Sequence, residues 1–434
     1  MAAMMELIQE LWTLKRDIIS DDFDKALAGL AAEIPLTIHE YPTGTPCWTW
    51  KVPEKWSCDE AYLETLSGRR LIDYRDHPLH VVSYSLPFEG EVSKEELLKH
   101  LHIHSRLTDA VPYVFKYYER DWGLCCSQTL RDTLKEARYK VVIRTRFESG
   151  KLKLGEFVVE GESKQCFMIV THLCHPGMVN DDLSGVVVAL DVARKLKAGP
   201  KPFFTYRFLF LPETIGSVAY LSHNEDLIPY MVGGLFLEML GNDSPHALQQ
   251  SFIQESHPDK VFRTALTALD EGAYVGPWRS IINNDERQFN APGVRVPMLS
   301  LSRVEPPEST TRPYREYHSN MDTPSIVTQE RLEQSRELVM ALINAWENNQ
   351  YIVNHFKGEI FCSGYGIWID YRTNPEGHRR LFEIMERCDG EHTVADIAQE
   401  LGVSYQSVSK VTDLLYEKKL ISYSRIPLPT IPKR

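Results

Sequence analysis

The sequence predicts an α/β fold with a largely parallel or mixed sheet, a small β-rich insertion and a helical module at its C-terminal end. Three observations predict it. Strand-like and helix-like segments alternate between about Asp132 and Asn344, the signature of layered α/β units. Residues 41–124 instead break into short aromatic and β-branched runs separated by turn residues. The last seventy or so residues turn mostly helical in pattern. The expected boundaries are 1–40 with 125–350 for the layered core, 41–124 for the insertion and 355–434 for the C-terminal module.

The elements follow in order. From Met4 to about Ala32, the apolar residues Leu7, Leu11, Leu14, Ile18 and Ile19 recur at three or four positions, which predicts an amphipathic helix or helix pair. YPTGTP, VPEKW, SGRRLIDYRDHP and LHVVSYSLPFEG supply the β-rich texture that follows. In the core, YKVVIRTRF, KQCFMIVTHL, TYRFLFLP, GGLFLEML and VPMLSLSRV read as strands, and SGVVVALDVARKL and SVAYLSHNEDLI as the helices between them. Near the C-terminal end, TVADIAQELG and YQSVSKVTDLLYEKKL read as two helices around Val403-Ser404, followed by the strand-like ISYSRI.

Composition limits the function classes. A chain of 434 residues suggests two or three domains at roughly 150 residues each. With 43% hydrophobic and 25% charged residues it has the makeup of a soluble globular protein. Its net charge of −12 argues against a surface built to cover nucleic acid or anionic lipid. Eight cysteines are scattered without a CxxC pair, which predicts a reducing compartment. The N-terminal stretch is acidic from Glu6 onward, unlike a signal or transit peptide, and no apolar run approaches the ~20 residues of a membrane span. A cytoplasmic protein is expected.

The chemistry concentrates in FMIVTHLCHPGMVNDDLSGVVVAL. An apolar strand ends in His172 and His175, and Asp181 and Asp182 precede Ser184-Gly185 and an apolar helix. Loops at the carboxyl ends of strands in α/β sheets converge, so two imidazoles and two carboxylates share one small volume. Imidazole nitrogen and carboxylate oxygen are the donors zinc accepts, although one aspartate could serve only as the helix cap. Glu213 directly follows a buried-type strand and Glu238 ends another. Carboxylates in such surroundings are costly unless paired or ligated. PYREYHSNMDTP adds His318, with Asp322 four residues on as a carboxylate that could orient the imidazole.

This order of residues resembles the zinc aminopeptidase superfamily with two co-catalytic metals, over about Lys151 to Asn344. The resemblance implies a three-layer, zinc-peptidase-like core with a mixed sheet. It implies metal ligands at His172, Asp181, Glu238 and His318, and pocket residues at Asp285, Arg287, Gln288 and Tyr317. Two positions depart from the family. Where it has an aspartate two residues after the first histidine this chain has Cys174, with His175 next as an alternative ligand; Asp182 stays an alternative to Asp181. Where it has two adjacent glutamates this chain has Glu213-Thr214, so Glu213 is expected as general base or as ligand, and the site to hold one or two zinc ions.

A narrower resemblance spans almost the whole chain: YPTGTPCWTWKVPEKW, YYERDWGLC, LPETIGS, DERQF and YREYHSNMDTP are similar to bacterial aminopeptidase-like-domain proteins. That family implies an inserted β-rich domain, a C-terminal winged helix and, in some members, surface-polysaccharide biosynthesis. The implied activity is zinc-dependent hydrolysis of an amide bond in a small peptide or amino-acyl conjugate. The alternatives are a peptidase-fold binding or regulatory protein, and an amidase or deacylase of a biosynthetic pathway. In the C-terminal module Lys410, Lys418 and Lys419 are offset by Asp413 and Glu417, which favours packing or homodimerisation over DNA binding.

Overall fold

The computed structural model describes residues 3–428; residues 1–2 and 429–434, which the expected domain bounds take in, lie outside the described residues. The apolar runs of the core form one eight-stranded mixed sheet. In chain order its strands are β1 Thr37–Pro42, β2 Lys151–Val159, β3 Cys166–His172, β4 Thr205–Leu211, β5 Met231–Glu238, β6 His246–Gln249, β7 Tyr274–Gly276 and β8 Met298–Arg303. Side by side they run β1-β2-β4-β3-β5-β8-β6-β7. The central four, β4, β3, β5 and β8, are parallel. Antiparallel pairs join β1 to β2, β2 to β4 and β6 to β8. Every residue of β3 is buried, and a strand covered on both faces reads as an unbroken apolar run.

The helix Leu183–Ala198 packs on β3 and β5, and the N-terminal helix Met4–Leu11 packs on that helix through a face containing Leu7, Ile8 and Leu11. The expected N-terminal helix pair is Met4–Leu11 and Asp21–Glu33. Ser20 stops the intervening loop by accepting from Phe23 N at 3.1 Å, and Asp21, Asp22 and Asp24 favour the positive end of the second helix.

One strand changes place. YKVVIRTRF was expected in the layered core, but Arg138–Glu148 is central to a separate four-stranded sheet ordered Arg70–Asp73, Lys55–Thr65, Arg138–Glu148, Phe88–Ser93. Its antiparallel pairing with Lys55–Thr65 runs from Tyr139 opposite Thr65 to Glu148 opposite Lys55. The β-rich sheet therefore draws on residues beyond 124.

Contacts divide the chain into two units: residues up to Ser256 with Asp270–Val339, and His257–Leu269 with the chain from Met340 on. The helix His257–Leu269, expected inside the 125–350 core, belongs to the second unit. There the His257 ring lies 5.0 Å from Trp346 and 4.8 Å from Tyr351, and Lys260 Nζ lies 3.3 Å from Asp396. The second unit has a three-stranded antiparallel sheet with Tyr351–Asn354 between Asp389–Thr393 and Ile421–Ser424. Helices Val394–Leu401 and Tyr405–Glu417 fall where two helices were expected, capped by Thr393 and Ser404. Ile352, Ile397, Val408 and Leu415 are buried together among them. Among the described residues no helix is long and apolar enough to cross a membrane.

Candidate metal centre

Because β3, β4 and β5 are parallel neighbours, their carboxyl ends open on one edge of the sheet. His172 is the last residue of β3, Glu213 lies two residues past β4, and Glu238 is the last residue of β5. The segment after β3 brings His175 and Asp181 back over this edge, and a later loop adds His318. His172 Nε2 lies 3.1 Å from Asp181 Oδ1 and 3.7 Å from Glu238 Oε2. His318 Nε2 lies 3.1 Å from Asp181 Oδ2, and His175 Nε2 lies 3.6 Å from Glu213 Oε2. His172, His175, Asp181 and Glu238 are buried, whereas the side chains of Glu213 and His318 keep 21% and 29% exposure and are open to an incoming molecule. Four residues here, His175, Thr214, Met239 and His318, have positive φ of 82°, 62°, 55° and 52°. Left-handed backbone at non-glycine residues costs about 1–3 kcal/mol each and collects at functional sites.

The donors fit a cation. His172 Nε2 and His175 Nε2 are buried without a hydrogen-bond partner, and the short approach of His172 to Asp181 lacks the alignment of a hydrogen bond. His172, Asp181 and Glu238 form one group of donor atoms lying within 4.8 Å of one another, and His175, Asp181 and His318 form a second, so Asp181 is common to both. Burial and then the neighbouring His172 and His318 hold His175 well below the usual imidazole range, leaving it neutral with a lone pair to give; the attraction of Asp181 is outweighed. Burial would raise Asp181, but the close approach of His172 and His318 holds it well below the carboxylate range. Burial, then the nearby Asp181, pushes Glu238 well above that range, repulsion that a bound cation would relieve.

Three expectations are corrected. Asp182 is not available as a ligand, because its oxygens accept from Thr171 Oγ1 at 2.5 Å, Gly185 N at 3.0 Å and Met239 N at 2.9 Å. It caps the helix Leu183–Ala198, and burial pushes its pKa up to about 8. Asp322 does not orient the His318 imidazole. It accepts from the backbone amides of Val179, Asn180 and Asp181 at 3.3, 2.7 and 3.0 Å and from Tyr314 Oη at 2.7 Å, so it fixes the segment that carries Asp181. Of the four pocket candidates, Tyr317 lines the cavity that Glu213 and Glu238 border. Gln288 lines a different cavity with Trp48 and Trp50. Asp285 is buried and accepts from Thr214 N at 2.9 Å, while Arg287 Nε donates to Asn284 O at 2.8 Å, so both brace backbone instead.

Gly185 is required for the Asp182 cap. A Cβ there would sit 2.5 Å from Asp182 Oδ1 and 2.6 Å from Leu237 O. Gly185→Ala is therefore expected to destabilise by about 1–3 kcal/mol, the cost of overpacking, read as a lowered midpoint in thermal unfolding.

Cys174, noted only as a departure from the family, and several residues without a role in the sequence pattern complete the site. Cys174 Sγ lies 3.3 Å from His175 Nδ1 and 3.8 Å from His172 Nδ1, and accepts from Glu213 N at 3.3 Å, so one buried thiol touches three parts of the site. Arg16 is fully buried and donates to the carbonyls of Leu173, His175 and Met178 at 2.9, 2.8 and 2.9 Å, and to Leu11 O at 2.6 Å. Tyr113 sets its ring 4.7 Å from His175 and 5.4 Å from His318, which stacks on Tyr317 at 3.9 Å. Asn284 Nδ2 donates to Glu238 Oε2 at 2.6 Å. The polar pair Asn283-Asn284, just before the DERQF run, was the available hint of this last contact.

A family model described as a domain of unknown function, DUF4910, matches residues 5–349. The chain belongs to this family. The DUF4910 chain is 32% identical over 425 residues to a Clostridium acetobutylicum protein provisionally named for polysaccharide biosynthesis with an aminopeptidase-like domain, covering 96% of this chain and 95% of that one. It is similar to a crystal structure of a Clostridium acetobutylicum protein provisionally named a peptidase, at 30% identity and a TM-score of 0.80, covering 97% of this chain and 96% of that one. A zinc aminopeptidase from Bacillus subtilis aligns at 15% identity and a TM-score of 0.58, covering 79% of this chain and 93% of that one. The DUF4910 chain thus has the mixed α/β fold of the zinc aminopeptidases.

Proposed function

We propose that the protein is a zinc-dependent hydrolase of aminopeptidase type that cleaves an amide bond in a small peptide or amino-acyl conjugate. The observation that carries this reading is the pair of donor groups sharing Asp181, with Glu213 at their open side. His172, Asp181 and Glu238 would hold one ion, and Asp181 with His175 and His318 a second. Zinc bound there would supply Lewis-acid polarisation of a carbonyl and a water made more acidic. Glu213 takes the proton of the attacking water and passes it to the leaving amine. Cys174 and Asp285 hold the backbone amides of Glu213 and Thr214 and so fix where that carboxylate stands. Tyr113, Tyr317 and Asp322 restrict the loops bearing the imidazoles and Asp181.

Glu213→Gln tests the assignment. The variant is expected to lose about 10²–10⁴ in kcat on aminoacyl amides while retaining its metal by elemental analysis, because general-base help has that size. Loss of metal in the same variant would make Glu213 a ligand. The name of the Clostridium relative favours a second reading, in which the same residues deacylate an amino-sugar or amino-acid precursor. All eight cysteines are free thiols, which supports a cytoplasmic setting.

A further inference from the structure

Resting on the hydrolase reading, we infer that the cavity beside the candidate centre selects substrates bearing a carboxylate, and that Arg312 is the residue that binds it. The cavity is about 350 Å³, so a sphere of that volume would be about 9 Å across, the size of a dipeptide or an acylated amino acid. Glu213 and Glu238 form part of its wall, and Arg312 is the cation among its lining residues.

Arg312 is held in place but its charge is not spent. Its Nη2 donates to Tyr274 Oη at 3.3 Å and Ser280 O at 3.2 Å, both neutral acceptors. Its main chain is braced by Arg106 Nη1, which donates to the carbonyls of Thr310 and Arg312 at 3.1 and 2.9 Å. Among the described residues Arg312 forms no ion pair, although the chain has 60 acidic residues for 48 basic ones. A guanidinium fork matches a carboxylate with two parallel hydrogen bonds, and a fork already oriented loses less freedom in making them.

The wall formed by residues 281–284 is preorganised for another group of such a substrate. Gln249 Oε1 accepts from the amides of Ile281 and Ile282, and Glu286 accepts from Asn284 N, which fixes residues 281–284. Asn284 Nδ2 is committed to Glu238, leaving Asn284 Oδ1 as a buried acceptor without a partner on the cavity wall. An amine or amide N–H of the substrate satisfies that oxygen while its carboxylate meets Arg312.

The carboxylate could be the terminal one of a short peptide or that of an acidic side chain, and paired probes separate the two. The test is calorimetric titration of the full-length protein with alanylalanine against alanylalaninamide, and with glutamylalaninamide against glutaminylalaninamide. The carboxylate member of one pair is expected to bind at least about tenfold more tightly, or 1.4 kcal/mol, with the difference lost in Arg312→Gln and partly kept in Arg312→Lys. Equal affinity within both pairs, no binding of any probe, or a preference that survives Arg312→Gln would overturn the inference. Hydrolysis of the same compounds is measured separately, so binding preference without turnover counts against the hydrolase reading and not against Arg312. Arg312→Lys keeps the test open if Arg312→Gln does not fold.

Discussion

Asp181→Asn is expected to empty both donor groups at once. Its two oxygens stand 3.1 Å from His172 Nε2 and 3.1 Å from His318 Nε2, so one substitution removes the charge both groups share and turns one of the two ligand oxygens into an amide nitrogen that does not ligate. Elemental analysis should find one or two zinc equivalents in the parent protein and none in the variant. Hydrolysis should fall by about 10²–10³ or more, the scale lost when a preorganised electrostatic contact is removed. The neighbouring Asp182→Asn supplies the contrast. Its oxygens serve a hydroxyl and two backbone amides, so that variant should keep its metal and lose stability instead. Full metal content in Asp181→Asn would end the shared-ligand assignment.

Arg16→Met is expected to be the most destabilising substitution outside the candidate ligands. The guanidinium serves four carbonyls at 2.9 Å or closer in a fully buried setting, and the buried Asp322 is close enough to attract its charge. Burial lowers its pKa only to about 10, so it stays charged at any ordinary pH. Hydrogen bonds to charged groups are worth about 1.5–3 kcal/mol each and a stranded buried carbonyl costs about 1–3 kcal/mol. With local relaxation the net loss should be about 4–5 kcal/mol, at the upper end for point substitutions. The melting temperature should then drop by roughly 6–7 °C in calorimetry, and a change under about 2 °C would contradict the buried network. Since two of the carbonyls flank Cys174, weaker metal retention should accompany the loss, by about 10–100-fold as for other residues behind a ligand.

Much of this architecture was legible because the central strands are apolar throughout and end in chemistry. His172, Glu213 and Glu238 stand out as polar residues at the ends of runs that burial made uniform, and parallel pairing brings such ends together. What spacing does not carry is side-chain direction. Asp181 and Asp182 are adjacent, yet one faces the imidazoles and the other turns back to cap a helix. The Asp322 interval of four residues looked like a partner for His318, but the intervening turn aims its carboxylate at residues 179–181. Arg138–Glu148 was misplaced because a strand's composition does not name its neighbour, here a segment some eighty positions earlier. Arg16 was silent for the same reason: three of the four carbonyls it serves lie 157 to 162 residues away.

The left-handed residues around the candidate centre also bear on how the protein would respond to selection for heat resistance alone. Thr214 and Met239 adopt φ of 62° and 55° directly after Glu213 and Glu238, positive values that glycine holds at lower cost. A screen scored only on survival of the fold should therefore enrich glycine at these two positions. The same replacements loosen the joints that aim the two carboxylates. Robustness and turnover would then be traded at Thr214 and Met239, with clones that outlast the parent on heating converting less substrate per molecule.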